Sequence, residues 1–187
     1  MRQLLAVLVL MASAFSALAE NFVERTAACI SCHGNGQSYT VETPSLGAEP
    51  ALFVLIQLYL FREKQRRVEP MTQAAQGLTD DDLRRLSDMV ASLPPPNPPA
   101  EPVDASRIER ASLLARKHHC IFCHNPDFSG HDNVPRLAAQ REDYLLKALR
   151  EYKSNMRPGY DATMAEVVQP LSDAELADLA YLMAHVK

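Results

Sequence analysis

The pattern Cys-x-x-Cys-His occurs twice in this 187-residue chain, as Cys29-Ile30-Ser31-Cys32-His33 and as Cys120-Ile121-Phe122-Cys123-His124, 91 positions apart. The two copies use all four cysteines. The surrounding chain repeats at the same interval. Pro44-Ser45-Leu46 falls on Pro135-Arg136-Leu137, and Phe53 and Val54 fall on Tyr144 and Leu145. Farther on the interval becomes 93, which gives the second copy two extra residues. Met71 then falls on Met164, and Leu78-Thr79-Asp80-Asp81-Asp82-Leu83 falls on Leu171-Ser172-Asp173-Ala174-Glu175-Leu176. Such a register means two copies of one structural plan.

The motif itself names a chemistry. Cys-x-x-Cys-His is the attachment signature of c-type haem: two thiols one helical turn apart add across the two vinyl groups of a porphyrin, and the adjacent histidine becomes the proximal iron ligand. Cys29 and Cys32, and Cys120 and Cys123, are the expected covalent attachment points for two haem c groups, with His33 and His124 as axial ligands. A disulfide framework or a shared zinc site would also use four cysteines. The repeat argues against both, because each unit brings its own candidate sixth ligand.

Those sixth ligands are Met71, 38 residues after His33, and Met164, 40 residues after His124. Each is expected in a loop before a terminal helix, where a thioether can close the far side of an iron. A lone methionine is more often core filler, so the claim rests on place in the repeat. Met156 competes with Met164 but has no counterpart in the first copy. Met89 and Met183 fall on packed helix faces. His118, His119, His131 and His185 have no counterparts and read as surface or packed histidines. Pro44 and Pro135 each follow their histidine by 11 residues. Their carbonyls are candidate acceptors for the imidazole's second nitrogen, a contact that orients a metal-binding ring.

The segment Leu93-Pro94-Pro95-Pro96-Asn97-Pro98-Pro99-Ala100-Glu101-Pro102 cannot continue a helix and favours an extended spacer. It divides residues 20–93 from 105–187, with 94–104 as a proline-rich linker. Both halves read as all-α. The first should have a short helix carrying the motif, a central helix near Ala51 to Gln65 and a terminal helix from about Asp80. The second should have a lead helix near Ser106 to His119, a central helix near Arg141 to Lys153 and a terminal helix from about Asp173. Thr79 with Asp82, and Ser172 with Glu175, have the spacing of capping boxes. Domains of this size bury little surface alone and usually lean on a cofactor or staple.

Residues 1–19 read as a cleaved export signal. Arg2 precedes an apolar run from Leu4, and Ala17-Leu18-Ala19 offers a small-x-small cleavage site. The run is too short for a spanning helix of about 20 apolar residues, so no stable membrane span is expected after cleavage. A bacterial periplasm is the expected compartment. The formal charge of −4 gives no basic field for nucleic acid. The run Arg62, Lys64, Arg66, Arg67 is a candidate docking patch or propionate anchor, although a solvated helix end more often explains such a run.

These features together resemble the two-haem cytochromes c of the c4 type. The resemblance rests on the paired motifs, the Pro-x-Leu steps, the segment from Pro135 to Gly159, and the two methionines ahead of Leu-Thr/Ser-Asp helices. It implies two tandem class I cytochrome c folds packed about a pseudo-twofold axis, carrying single electrons in the periplasm. The implied partners are redox proteins: a cytochrome-reducing complex or dehydrogenase as donor, and a terminal oxidase or reductase as acceptor. Two other readings stay open. One is a dedicated electron-accepting subunit of a periplasmic dehydrogenase. The other is a haem peroxidase, which needs a vacant or displaceable sixth ligand.

Overall fold

A computed structural model describes residues 22–157 and 162–187. The expected export signal, and the Pro158-Gly159 end of the segment from Pro135, lie outside the described residues. Helix α1 covers 22–33 and carries the first motif at its C-terminal end. It is followed by α2 (Ala51–Arg62), α3 (Met71–Ala75) and α4 (Asp80–Ser92), then α5 (Ala105–Lys117), α6 (Cys120–His124), α7 (Glu142–Lys153), α8 (Thr163–Val168) and α9 (Asp173–His185). Among the described residues there is no strand, only an isolated bridge between His131 and Val134. No described helix is long and apolar enough to cross a membrane.

Local chemistry sets the helix ends. Thr79 accepts from the N–H of Asp82 while the Asp82 carboxylate accepts from the N–H of Thr79, and Ser172 and Glu175 make the same exchange. Each box satisfies N–H groups that the first turn would leave bare. Asp104 caps α5 by accepting from the N–H groups of Ser106 and Arg107, so α5 begins one residue before its expected start. It ends at Lys117, because His119 takes a left-handed φ of 59° and separates it from α6.

Helix α2 stops at Arg62, short of Gln65. Lys64 turns left-handed at φ 56°, and the N–H groups of Gln65 and Arg66 both donate to the Leu60 carbonyl. Asn155, 91 residues later, has the same φ of 56°, and the N–H groups of Met156 and Arg157 both donate to the Glu151 carbonyl. The interval of 91 therefore holds through this turn.

Each half builds its own core. Helix α2 packs on α4 and α3, while α9 packs on α5 and α7, and α7 also meets α8. Phe61, Ala75, Leu78, Leu83 and Leu86 form the first cluster. The second is larger and centres on α9, where Leu176, Leu179, Ala180, Leu182 and Met183 are buried. Between the halves, residues 94–104 carry no helix. Gly47 lets the chain pass close there: a Cβ on it would lie 1.9 Å from the Pro94 carbonyl oxygen.

The halves meet along a polar seam. The Glu42 N–H donates to Asp143 Oδ2 at 3.1 Å, Lys147 Nζ donates to Glu42 at 2.8 Å, and Arg141 Nη1 donates to the Ser38 carbonyl at 3.2 Å. The N–H of Phe53, in the first turn of α2, donates to the Asp132 carbonyl at 3.0 Å. Gln140 makes two bonds to the backbone of Ser45, and Glu49 makes one to that of Arg136.

Two expectations need correction. Met71 and Met164 are not in loops: Met71 begins α3 and Met164 is the second residue of α8. Nor is the whole run Arg62 to Arg67 a solvated helix end. Arg62 pairs with Asp80 and Glu63, and Arg66 is only 7% exposed.

Candidate functional site

The two motifs present their thiols alike. Cys29 and Cys120 are half-buried, Cys32 and Cys123 are exposed, and all four are free. Helical spacing places the two sulfurs of each motif about one turn apart. Among the described residues no three His, Cys, Asp or Glu side chains are placed to hold a metal ion, so the two motifs do not converge on one such site.

Each motif histidine is buried and held through one nitrogen. His33 Nδ1 donates to the Pro44 carbonyl at 2.8 Å, and His124 Nδ1 donates to the Pro135 carbonyl at 3.0 Å. Burial pushes both imidazoles below their ordinary range, and the carbonyls pull the other way. With Nδ1–H committed to a carbonyl, neutral imidazole keeps a bare Nε2, the state an iron ligand needs.

The turn after each histidine is also matched. Gly34 has φ 68°, and a Cβ on it would sit 2.0 Å from the Gln37 carbonyl oxygen. Asn125, also at φ 68°, fills the same place by donating from Nδ2 to Ser129 Oγ and the Gly130 carbonyl.

The methionines share their core clusters with the motifs. Cys29 and Met71 both pack on the first cluster, and Cys120 and Met164 both pack on the second. Met156 is 76% exposed and belongs to neither. Of the other histidines, His119 stacks on Phe122, His131 pairs with Asp132, and His185 donates to the Tyr181 carbonyl.

Two buried arginines lie beside the site: Arg66, from the cationic run already named as a candidate propionate anchor, and Arg157, which the motifs do not mark. Arg66 and Arg157 stand 91 residues apart, and Arg157 is only 6% exposed. Arg66 lies over the Phe61 ring at 4.6 Å, and Arg157 over the Tyr152 ring at 5.1 Å. Tyr144 lies between them. Burial pushes its phenol up, but Arg157 and Arg66 pull it further down, to below its ordinary range. Arg157 Nη2 donates to Tyr144 Oη at 3.1 Å, and Arg66 Nη1 donates to Gln57 Oε1 at 2.7 Å.

Yet Nε of Arg66, Nε of Arg136, and Nε and Nη1 of Arg157 are buried without a hydrogen-bond partner. The carboxylate of Glu151 comes no nearer to Arg157 than 3.9 Å. Buried guanidinium groups with open donors are costly unless an anion meets them. Haem brings two propionate carboxylates, so the donor set fits the group that the cysteines would hold. The repeat interval carried the signal for Arg157. The burial of Arg66 had none, because Tyr144 of the other half helps to enclose it.

Known proteins resemble this chain in sequence and in fold. The Cytochrome c family matches residues 108–187. Cytochrome c4 of Thiocapsa roseopersicina is 31% identical over 159 residues, spanning 80% of this chain and 82% of that protein. The thiosulfate dehydrogenase electron acceptor of Thiomonas intermedia is 28% identical, spanning 84% and 78%. The crystal structure of reduced recombinant cytochrome c4 from Pseudomonas stutzeri superposes with a TM-score of 0.80 at 24% identity, over 90% of this chain and 98% of that one. With the paired motifs, two helical units and this likeness along most of both chains, the protein belongs to the c4-type cytochromes c.

Proposed function

We propose that this chain is a periplasmic carrier of single electrons with two covalent haem c groups, held by Cys29 and Cys32 and by Cys120 and Cys123. His33 and Met71 would hold the first iron, and His124 and Met164 the second. The domains are residues 20–93 and 105–187, joined by the linker 94–104, after export directed by residues 1–19. When bound, haem supplies an iron that alternates between ferrous and ferric with little rearrangement.

The chain's own residues do the rest. The Pro44 and Pro135 carbonyls fix the imidazoles, the Met71 and Met164 thioethers would supply the second protein ligand to each iron, and Arg66, Arg136 and Arg157 would offer buried donors to propionates. A protein ligand on both sides would leave no place for substrate on the iron, which separates this reading from a peroxidase.

The observation that carries the proposal is the matched histidine: buried, beside paired thiols, with Nδ1 committed to a proline carbonyl in each half. Packing of Met164 on the second cluster, against the exposure of Met156, supports the ligand choice. An optical redox titration of the mature holoprotein tests it. Two low-spin haems that titrate reversibly are expected. A high-spin signal in the resting protein would overturn the closed coordination.

A second reading is favoured by one comparison. The likeness to the thiosulfate dehydrogenase electron acceptor supports a role as the dedicated acceptor of a periplasmic dehydrogenase. Isolation from the native periplasm separates the two roles: a free carrier elutes alone, and a subunit elutes with its dehydrogenase.

A further inference from the structure

Across the seam, one pair of equivalent residues differs by a single exchange of an amide for an acid. Glu49 and Gln140 stand 91 residues apart, each after an alanine with positive φ, 52° at Ala48 and 55° at Ala139. Both are buried, at 6% and 4% exposure. Gln140 makes a reciprocal pair with the backbone of Ser45: Oε1 accepts from its N–H at 2.8 Å, and Nε2 donates to its carbonyl at 2.8 Å. Glu49 meets Arg136, the equivalent of Ser45, and Oε2 accepts from its N–H at 3.1 Å. The matching second bond, to the Arg136 carbonyl, needs a donor that only a protonated carboxyl has.

We propose that Glu49 is a proton-binding site in the interdomain seam, acting when protonated as the acid counterpart of Gln140, and that its proton is linked to the redox state of the protein. This rests on the proposed electron-carrier function. The burial of the site agrees with a bound proton: it pushes the Glu49 carboxyl up to about 8, against the opposing pull of the Arg136 N–H and of the Arg136 and Arg157 guanidinium groups.

Every charged group around the site has an identifiable effect. Arg136 and Arg157, from the segments flanking α7, favour the anion, as does the N-terminus of α2 just beyond Glu49. Arg66, in the turn after α2, lies near Arg157 and Tyr144. From the loop against α2, Asp132 is exposed and paired with His131. Propionates meeting Arg136, Arg157 and Arg66 would offset the cations and leave burial dominant.

The linkage balances in charge. A one-electron reductant adds an electron to a ferric haem while the Glu49 carboxylate takes one proton from solvent. A one-electron oxidant reverses both. Deprotonation leaves a negative charge in the seam, which favours the ferric state and lowers the potential.

The test is the midpoint potential of each haem in the holoprotein, measured at pH values on both sides of about 8, for the natural chain and for Glu49→Gln. In the natural chain at least one potential is expected to fall as pH rises, and the Glu49→Gln variant is expected to lose that fall. Reduced-minus-oxidised infrared spectra should show a protonated-carboxyl band that the variant lacks. A slope that survives in Glu49→Gln, as propionate titration alone would give, overturns the proposal, as do flat potentials in both proteins. Failure of the haems to titrate reversibly would instead overturn the electron-carrier reading.

Discussion

At the scale of single residues, the proposed iron ligands and the groups that would tune them give separable signatures. Methionine opposite histidine raises the potential of a haem iron, so its loss should register on one haem at a time. Replacing Met71 or Met164 by alanine should lower one midpoint potential and halve the long-wavelength methionine–iron absorption, leaving the other haem unchanged in an optical redox titration. The same change at Met156 should leave both spectra as they were. The buried arginines predict a different signature. A nearby cation favours the ferrous state, so Arg157→Leu should lower at least one potential. It should also cost about 3–5 kcal/mol of holoprotein stability if Arg157 meets a propionate, because an anion would then lie buried without its partner. Urea unfolding followed in parallel with the redox titration checks both effects. The histidine–proline spacing was legible in the sequence because both residues lie within one short segment. Arg66 is hidden in a run of four cations, of which it alone is buried. Only its agreement with Arg157 at the 91-residue interval, and a tyrosine from the other half, distinguish it from Arg62 and Arg67.

At the scale of elements, the terminal helices α4 and α9 are held by capping boxes and by buried apolar residues. Thr79→Ala or Ser172→Ala should each lower stability by about 1 kcal/mol in urea unfolding, since the hydroxyl's capping bond is lost. Leu179→Ala in α9 should cost about 2–5 kcal/mol by the same measurement, because Leu179 is buried where α9 packs between α5 and α7. The terminal helices were legible in advance because cap and periodicity agreed. Helices α3 and α8 were not. They have five and six residues, too few for an apolar period to repeat, and neither has a side-chain cap. Thus the two methionines were expected in loops, yet lie within short helical turns. The end of α2 was also overestimated, since nothing in Glu63-Lys64-Gln65 marks Lys64 as a left-handed residue.

At the scale of the whole molecule, two halves built on one plan meet along a seam that buries Glu49. Glu49 is raised in the folded chain from an ordinary carboxyl value of 4.5 to about 8. Below 4.5 both folded and unfolded chains hold its proton, and the full contribution to stability is present. As pH rises toward 8 the unfolded chain has released that proton and the folded chain has not, so stability falls by at most about 1.4 kcal/mol per pH unit. Glu49→Gln should remove that decline. Asp82 and Glu175 act in the opposite direction. The backbone N–H of Thr79 and of Ser172 holds each carboxyl below its ordinary range, so their contributions are lost as pH falls toward acid.

The account depends most on two porphyrins being covalently attached. Intact mass spectrometry of denatured protein recovered from the periplasm tests this directly. A polypeptide carrying two haem additions is predicted, falling to one when Cys29 and Cys32 are both replaced by alanine. A polypeptide without porphyrin additions, its cysteines free or paired as disulfides, would contradict it.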